Sequence, residues 1–256
     1  MKLLTIPISH YCEKARWALI RHGIPYQEEP HLQGFHYPYA YWMSGGKMVP
    51  VLQDGKYVIS DSTAILKYLD SYAAKEARLY PEDRELRHQV DELEDLFDEQ
   101  LGVESRRWVY FHYLQHPRAM LKIASQGISP FEKALGPVCF PFLKAFAARM
   151  LHTDDEKVKV GVNQSRQIIQ KVDGLLSDGR KYLVGDRFSA ADLSLVCMMA
   201  PFVLPRQYGI TLPALAEVPE SMQTTVKEFQ STVTGQYVRH LCETERCSQK
   251  NKIPVV

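Results

Sequence analysis

Charge of either sign is not in excess: 31 Lys and Arg face 30 Asp and Glu, a formal net charge of +1 over 256 residues. That balance does not point to nucleic acid or an anionic membrane surface as a partner. Cysteine is scarce, and the five present (Cys12, Cys139, Cys197, Cys242, Cys247) are scattered and odd in number. They form no disulfide framework and suit a reducing, cytoplasmic compartment. Cys242 and Cys247 are spaced too widely for a CxxC pair, and no histidine cluster accompanies them, so no metal site is expected. No run of about 18 apolar residues appears. The nearest approach, 140–151, carries Lys144 and Arg149 and is too short, so no membrane span is expected. The start of the chain, with Lys2 and Pro7 in and after a strand-like run, does not read as a secretory signal. No internal repeat or low-complexity tract is visible. What remains is a soluble globular protein with enough apolar residues for one large domain or two modest ones.

The first eighty residues alternate strand and helix signals. Residues 2–6 (KLLTI) read as a buried strand, followed by a helix opening after Ser9, with Cys12, Ala15 and Leu19 on one face and Gly23 as its stop. Residues 24–28 read as a short edge strand, and the aromatic stretch 31–46 as a loop with a short helix. Residues 48–52 and 56–59, joined by a turn at 53–55, read as a hairpin, and a helix follows over 63–72. This order predicts a mixed four-stranded sheet flanked by helices. Beyond Pro81 strand signals vanish. Leu86, Val90, Leu93, Leu96 and Phe97 recur at helical spacing, and further helices are expected over 140–151, 154–176, 190–199 and 222–240. Domain limits are expected at 1–75 and 84–247, with a frayed polar tail after Cys247.

Three local features carry chemistry. Ser9 stands where a strand empties into a helix, so free backbone N–H groups and the positive end of the helix dipole converge on it. A thiolate would be stabilised there, though Ser is also a common N-cap. Pro50 lies between Val49 and Val51 in a strand-like run; it reads equally as a cis proline exposing backbone to a ligand or as an edge-strand proline. Asp61-Ser62 opens a helix directly after a strand, suited to binding a carboxylate and an ammonium, or again to capping. Together the three can converge on one extended, zwitterionic peptide. Ser189 and Asp192 differ in kind: they have capping-box spacing, with Phe188 and Leu193 at the staple positions, and read as a folding signal.

These residues resemble the cytosolic glutathione transferase superfamily over nearly the whole chain. The likeness rests on Ser9-x-x-Cys12, on Val49-Pro50-Val51-Leu52, on residues 59–65 (ISDSTAI) and on residues 182–192 (YLVGDRFSAAD), in that order and spacing. It implies a thioredoxin-like α/β N-terminal domain and an all-α helical C-terminal domain, glutathione as co-substrate, and a homodimer. By the same likeness Ser9 would activate the glutathione thiol, Val49 would pair with the cysteinyl unit beside cis-Pro50, and Asp61 and Ser62 would hold the γ-glutamyl end. Cys12 takes the inward place, away from redox work.

The chain also departs from the pattern. Many members carry Lys or Gln two residues before the cis proline; here that place is Met48, and Lys47, one residue earlier, is the substitute, pointing the other way if the backbone is extended. Segment 127–155 matches no familiar class. Tyr11, Arg106, Trp108, Tyr110 and Tyr113, with Phe111, are candidates for the wall of a second-substrate pocket; the aromatics read equally as domain-interface core. The resemblance implies an enzyme that conjugates glutathione to an electrophilic apolar substrate, a detoxification chemistry. The alternatives are a non-catalytic binding or assembly protein on the same fold, and a glutathione-dependent reductase or isomerase.

Overall fold

In the computed structural model, residues 1–246 are described; Cys247 and the polar tail lie outside the described residues. Strands β1 (Lys2–Thr5), β2 (Gln27–Pro30), β3 (Val51–Asp54) and β4 (Tyr57–Ser60) form one mixed sheet in the order β2-β1-β3-β4. β1 and β2 run parallel, which requires a crossover, and α1 (His10–Arg21) supplies it. The other pairs are antiparallel. Leu3, Leu4, Val51 and Leu52 at the sheet centre are fully buried.

Several boundaries differ from the sequence reading. The second strand begins at Gln27, not Ile24, because the chain leaves α1 through Gly23 at φ 68° and Tyr26 turns into the core before pairing starts. The hairpin pairs up to Asp54 and Tyr57, so only Gly55 and Lys56 make the turn. Met48, Val49 and Pro50 lie ahead of β3, outside the ladder, so Pro50 owes no strand hydrogen bond; its peptide bond to Val49 is cis. Helix α2 (His36–Ser44) fills the aromatic stretch, and α3 (Ser62–Asp70) follows β4.

The rest of the described chain is helical. α4 (Arg84–Leu96) passes through a wide π-type turn (Phe97–Leu101) into α5 (Gly102–Tyr113). Then come α6 (Pro117–Ala124), α7 (Pro130–Leu151) and α8 (Asp155–Leu176). α9 (Ala190–Val203) is the central helix, buried along nearly its whole length. α7 starts ten residues before the expected Phe140, because Ser129 accepts the N–H of Glu132 and Pro130 sits in the first turn, where its missing N–H costs nothing. At 22 residues it is, by length and composition, apolar enough to cross a membrane, which corrects the expectation of a segment too short. The expected helix over 222–240 is two: α10 (Glu220–Ser231) and α11 (Val233–Leu241). Thr232 between them is extended and caps α11 by accepting the Gly235 N–H at 2.9 Å. Gly235 has no room for a β-carbon, which would stand 1.9 Å from the Phe229 carbonyl oxygen.

The start of α9 behaves as the capping-box spacing predicts, with Asp192 as its hub. Fully buried, its carboxylate accepts the Ser189 N–H at 2.8 Å and hydroxyl at 2.9 Å, the Leu183 N–H at 2.9 Å and the Tyr237 hydroxyl at 2.6 Å. It therefore ties the preceding loop and α11 to α9. Asp192→Ala strands four buried donors, each worth about 1–3 kcal/mol when unsatisfied. We expect Asp192→Ala to cost at least about 3 kcal/mol in chemical denaturation, against about 1 kcal/mol for Ser189→Ala, the typical value of a lost cap. Equal losses would show that Asp192 is no hub.

Candidate functional site

A cavity of about 610 Å³ lies between the sheet end and the helices. One wall comes from three neighbouring structures of the α/β part: the start of α1, the loop before β3 and the start of α3. They contribute Ser9, Lys47, Val49, Pro50, Asp61 and Ser62. The opposite wall carries Tyr11, Arg106, Val109, Tyr110 and Tyr113, closed above by the segment after α9 with Tyr208, Ile210 and Leu212.

Ser9 is both a cap and a cavity residue. Its Oγ accepts the Cys12 N–H at 3.3 Å, which uses a lone pair and leaves the hydroxyl proton free to donate. Cys12 lies behind it, fully buried, and burial pushes its thiol above the ordinary range. At the α3 start, Asp61 accepts the Ala64 N–H at 2.8 Å. Its φ of 121° is a costly conformation for a non-glycine residue, of the kind concentrated at functional sites. Ser62 is buried in the first turn, so its hydroxyl and the free N–H groups of that turn face the same cavity wall as the cis Val49-Pro50 bond. That wall presents donors for a carboxylate beside a carboxylate for an ammonium, which fits a zwitterionic peptide.

The helical wall follows the period of α5. Arg106, Val109, Tyr110 and Tyr113 fall at i, i+3, i+4 and i+7 and reach the cavity. Trp108, expected there, is on the other side of the helix: it is 2% exposed and packs on Phe202 with ring centroids 4.9 Å apart. Phe111 likewise packs against the core. For these two the core reading is the correct one, and the helical period is the reason. Tyr11 and Tyr110 are anchored by their hydroxyls, donating to the Asp98 carbonyl at 2.7 Å and to Gln33 Oε1 at 2.9 Å. The Arg106 guanidinium lies 5.8 Å from the centre of the Tyr11 ring and its Nε has no hydrogen-bond partner among the described residues.

Sequence reasoning missed His10, the cavity residue next to Ser9. It is 5% exposed, and its Nε2 finds no hydrogen-bond partner among the described residues. Burial, helped by the charges of Arg106 and Lys14, lowers its pKa to about 3, so it is neutral. His36 and Tyr37 on α2, Met150 on α7 and the loop from Leu204 to Pro213 were missed too. The aromatic density of 35–42 was a visible signal; the loop gave none.

Two family profiles match the chain: "Glutathione S-transferase, N-terminal domain" over residues 3–77 and "Glutathione S-transferase, C-terminal domain" over residues 131–223. The chain is 30% identical over 157 residues to glutathione S-transferase theta-2 of Mus musculus, covering 61% of this chain and 52% of that protein. It thus spans about half the length of the curated relatives it matches. Among solved structures, a glutathione transferase from Phanerochaete chrysosporium superposes with a TM-score of 0.63 at 19% identity, over 95% of this chain and 96% of that one. The theta class glutathione S-transferase of Xanthomonas axonopodis pv. citri, solved with glutathione bound, gives a TM-score of 0.54 at 19% identity, over 92% and 94%. The fold, the two matched domains and these relatives together place the chain in the cytosolic glutathione transferase superfamily.

Proposed function

We propose that the protein transfers glutathione to an apolar electrophile, with Ser9 as the residue that activates the thiol. The observation that carries this reading is one cavity that holds both a wall suited to a peptide, at Ser9, Pro50 and Asp61-Ser62, and a largely apolar wall opposite. Val49 would meet the cysteinyl backbone, Asp61 the γ-glutamyl ammonium, and Ser62 with the α3 N-terminus its carboxylate. Lys47 is the cation on that wall available to the glycyl carboxylate. The Ser9 hydroxyl would donate to the thiolate, lowering the thiol pKa as any donor to a charged form does. Arg106, with no carboxylate partner among the described residues, would stabilise negative charge that builds up on the electrophile as the carbon–sulfur bond forms and the electron pair moves to the leaving group or to an electronegative atom of the electrophile. By likeness to its superfamily, the protein is a cytoplasmic, detoxifying homodimer.

Ser9→Ala should lower turnover roughly 10²-fold, the cost of removing one donor from a developing anion, while glutathione affinity measured by calorimetry changes little. Ser9→Thr, which keeps the hydroxyl, should recover most of the rate. Full turnover in Ser9→Ala removes Ser9 from the mechanism, and absence of glutathione binding near millimolar concentrations removes the enzymatic reading. Arg106→Met should lower kcat by about tenfold to a hundredfold with KM nearly unchanged, as for an interaction made in the transition state; a rise in KM alone would assign Arg106 to binding.

His10 gives a pH dependence. Its folded pKa of about 3 lies below the ordinary value of 6.5, so the unfolded chain binds the extra proton between those limits. Stability from this residue is therefore complete above pH 6.5 and is lost as pH falls toward 3, by roughly 5 kcal/mol over the full window. Denaturation between pH 7 and 4 should show a steeper decline for the wild type than for His10→Asn. Parallel curves would mean that His10 is not buried neutral.

A further inference from the structure

The outer sides of α2 and α7 take no part in packing among the described residues. α7 turns Glu132, Gly136, Phe140, Ala147 and Leu151 inward, while Phe131, Val138 and Phe142 stand out at 69%, 70% and 78% exposure. On α2, Tyr41 and Trp42 are 66% and 87% exposed. The two helices adjoin, with Tyr37 and Phe146 in edge contact at 6.2 Å. Exposed apolar side chains grouped in this way on two adjoining helices are unusual on a soluble monomer and mark an interaction site.

Its charge names the partner. No Asp or Glu occurs between His31 and Gln53, and Glu132, the one carboxylate of α7, is buried against His31 Nδ1 at 2.6 Å. Lys133, Arg149 and Lys47 are exposed there, and none is paired with a carboxylate among the described residues. The net charge of +1 does not display this local grouping of cations. Exposed Trp and Tyr, apolar side chains and a cationic rim without acids are the composition of a segment lying at a bilayer interface. A two-fold pairing of copies through the same face would set like charges against each other. Pro137 and Pro141 free the carbonyls of Lys133 and Pro137, which need hydration and so fit headgroup depth, not a membrane-spanning position.

We propose that the α2–α7 face docks on the headgroup region of a bilayer containing anionic lipid. Met48 and Met150, exposed at 70% and 47%, belong to this face and also line the cavity. The mouth of the site therefore opens onto the lipid, and the electrophile is one dissolved in the bilayer; this second half rests on the transferase reading, whereas the docking does not.

The test floats the full chain with vesicles of phosphatidylcholine, with and without phosphatidylserine, at low and high salt. Binding should require phosphatidylserine and weaken with salt. Trp42 fluorescence should shift to the blue on binding, since Trp17 and Trp108 are already buried. Removing a cation should weaken binding about fivefold, so Lys133→Glu and Arg149→Glu combined should abolish most of it. Phe142→Glu should do the same; all three side chains are exposed, and unchanged melting curves would confirm intact folding. No flotation, or flotation indifferent to these substitutions, overturns the proposal. So does retention through alkaline carbonate extraction, which would make α7 a span, or self-association abolished by Phe142→Glu without lipid binding, which would give the face to a second copy. With an electrophile dissolved in vesicles, Phe142→Glu should turn over more slowly than the wild type, yet equally with a water-soluble one. Equal rates with both overturn lipid-side entry. Flotation without turnover of either electrophile would instead count against the transferase reading and leave the docking intact.

Discussion

Helix α1 is enclosed on every side, and its charged residues had to be neutralised in place. Glu13, Lys14 and Arg16 are all buried. Lys14 Nζ meets Glu94 at 2.8 Å and also Asp98, with Thr63 in the same cluster. Burial works against its charge, but the two carboxylates outweigh burial and hold its pKa above the ordinary range. Arg16 pairs with Glu28 on β2 at 2.7 Å, and Glu13 with Arg246, at the far end of the described chain, at 2.9 Å. Such pairs add little net stability over apolar replacements, but breaking one leaves an uncompensated buried charge. They therefore act as a register, allowing one relation between the sheet and the helices.

The cavity inherits its shape from that register. Ser9 is the residue before α1, so its position is that of the helix. Glu13, one turn on, also fixes the opposite roof: a β-carbon on Gly209 would lie 1.8 Å from its carboxylate, so the loop carrying Tyr208 and Ile210 passes as closely as glycine permits. Asp98, which receives Lys14, lends its backbone carbonyl to Tyr11. The residues that hold the domains together are thus one helical turn or one hydrogen bond from those that line the cavity.

What the sequence made legible is what depends on local chemistry. Ser9, Pro50, Asp61 and Ser62 stand at strand–helix junctions and beside an anomalous proline, and such features announce themselves within a few residues. The capping box at Ser189 and Asp192 is of the same kind. The choice between cap and site at Ser9 had no answer in the sequence because the two are compatible: one lone pair serves the helix and the proton stays free. Long-range demands were invisible. Nothing local says that Lys14 is buried, that Trp108 faces away from the cavity while Arg106 faces it, or that Thr232 breaks a continuous helical period. The length of α7 was hidden by Pro137 and Pro141, residues that ordinarily interrupt a helix but here lie on its exposed side.

That exposed side also changes how the departure at Met48 is understood. Seen as part of a peptide-binding wall, Met48 is a residue that lacks the polar contact expected near the cis proline. In the structure it is a rim residue, largely exposed, next to Lys47 and on the same side as Met150. An unbranched, adaptable apolar side chain at such a rim suits contact with a soft, irregular partner better than a fixed hydrogen bond would. Lys47, exposed beside Met48, is the cation of the same rim, and both side chains also line the cavity. The substitution that weakened the match to the superfamily pattern is therefore the point where the peptide wall of the cavity and the apolar outer face meet.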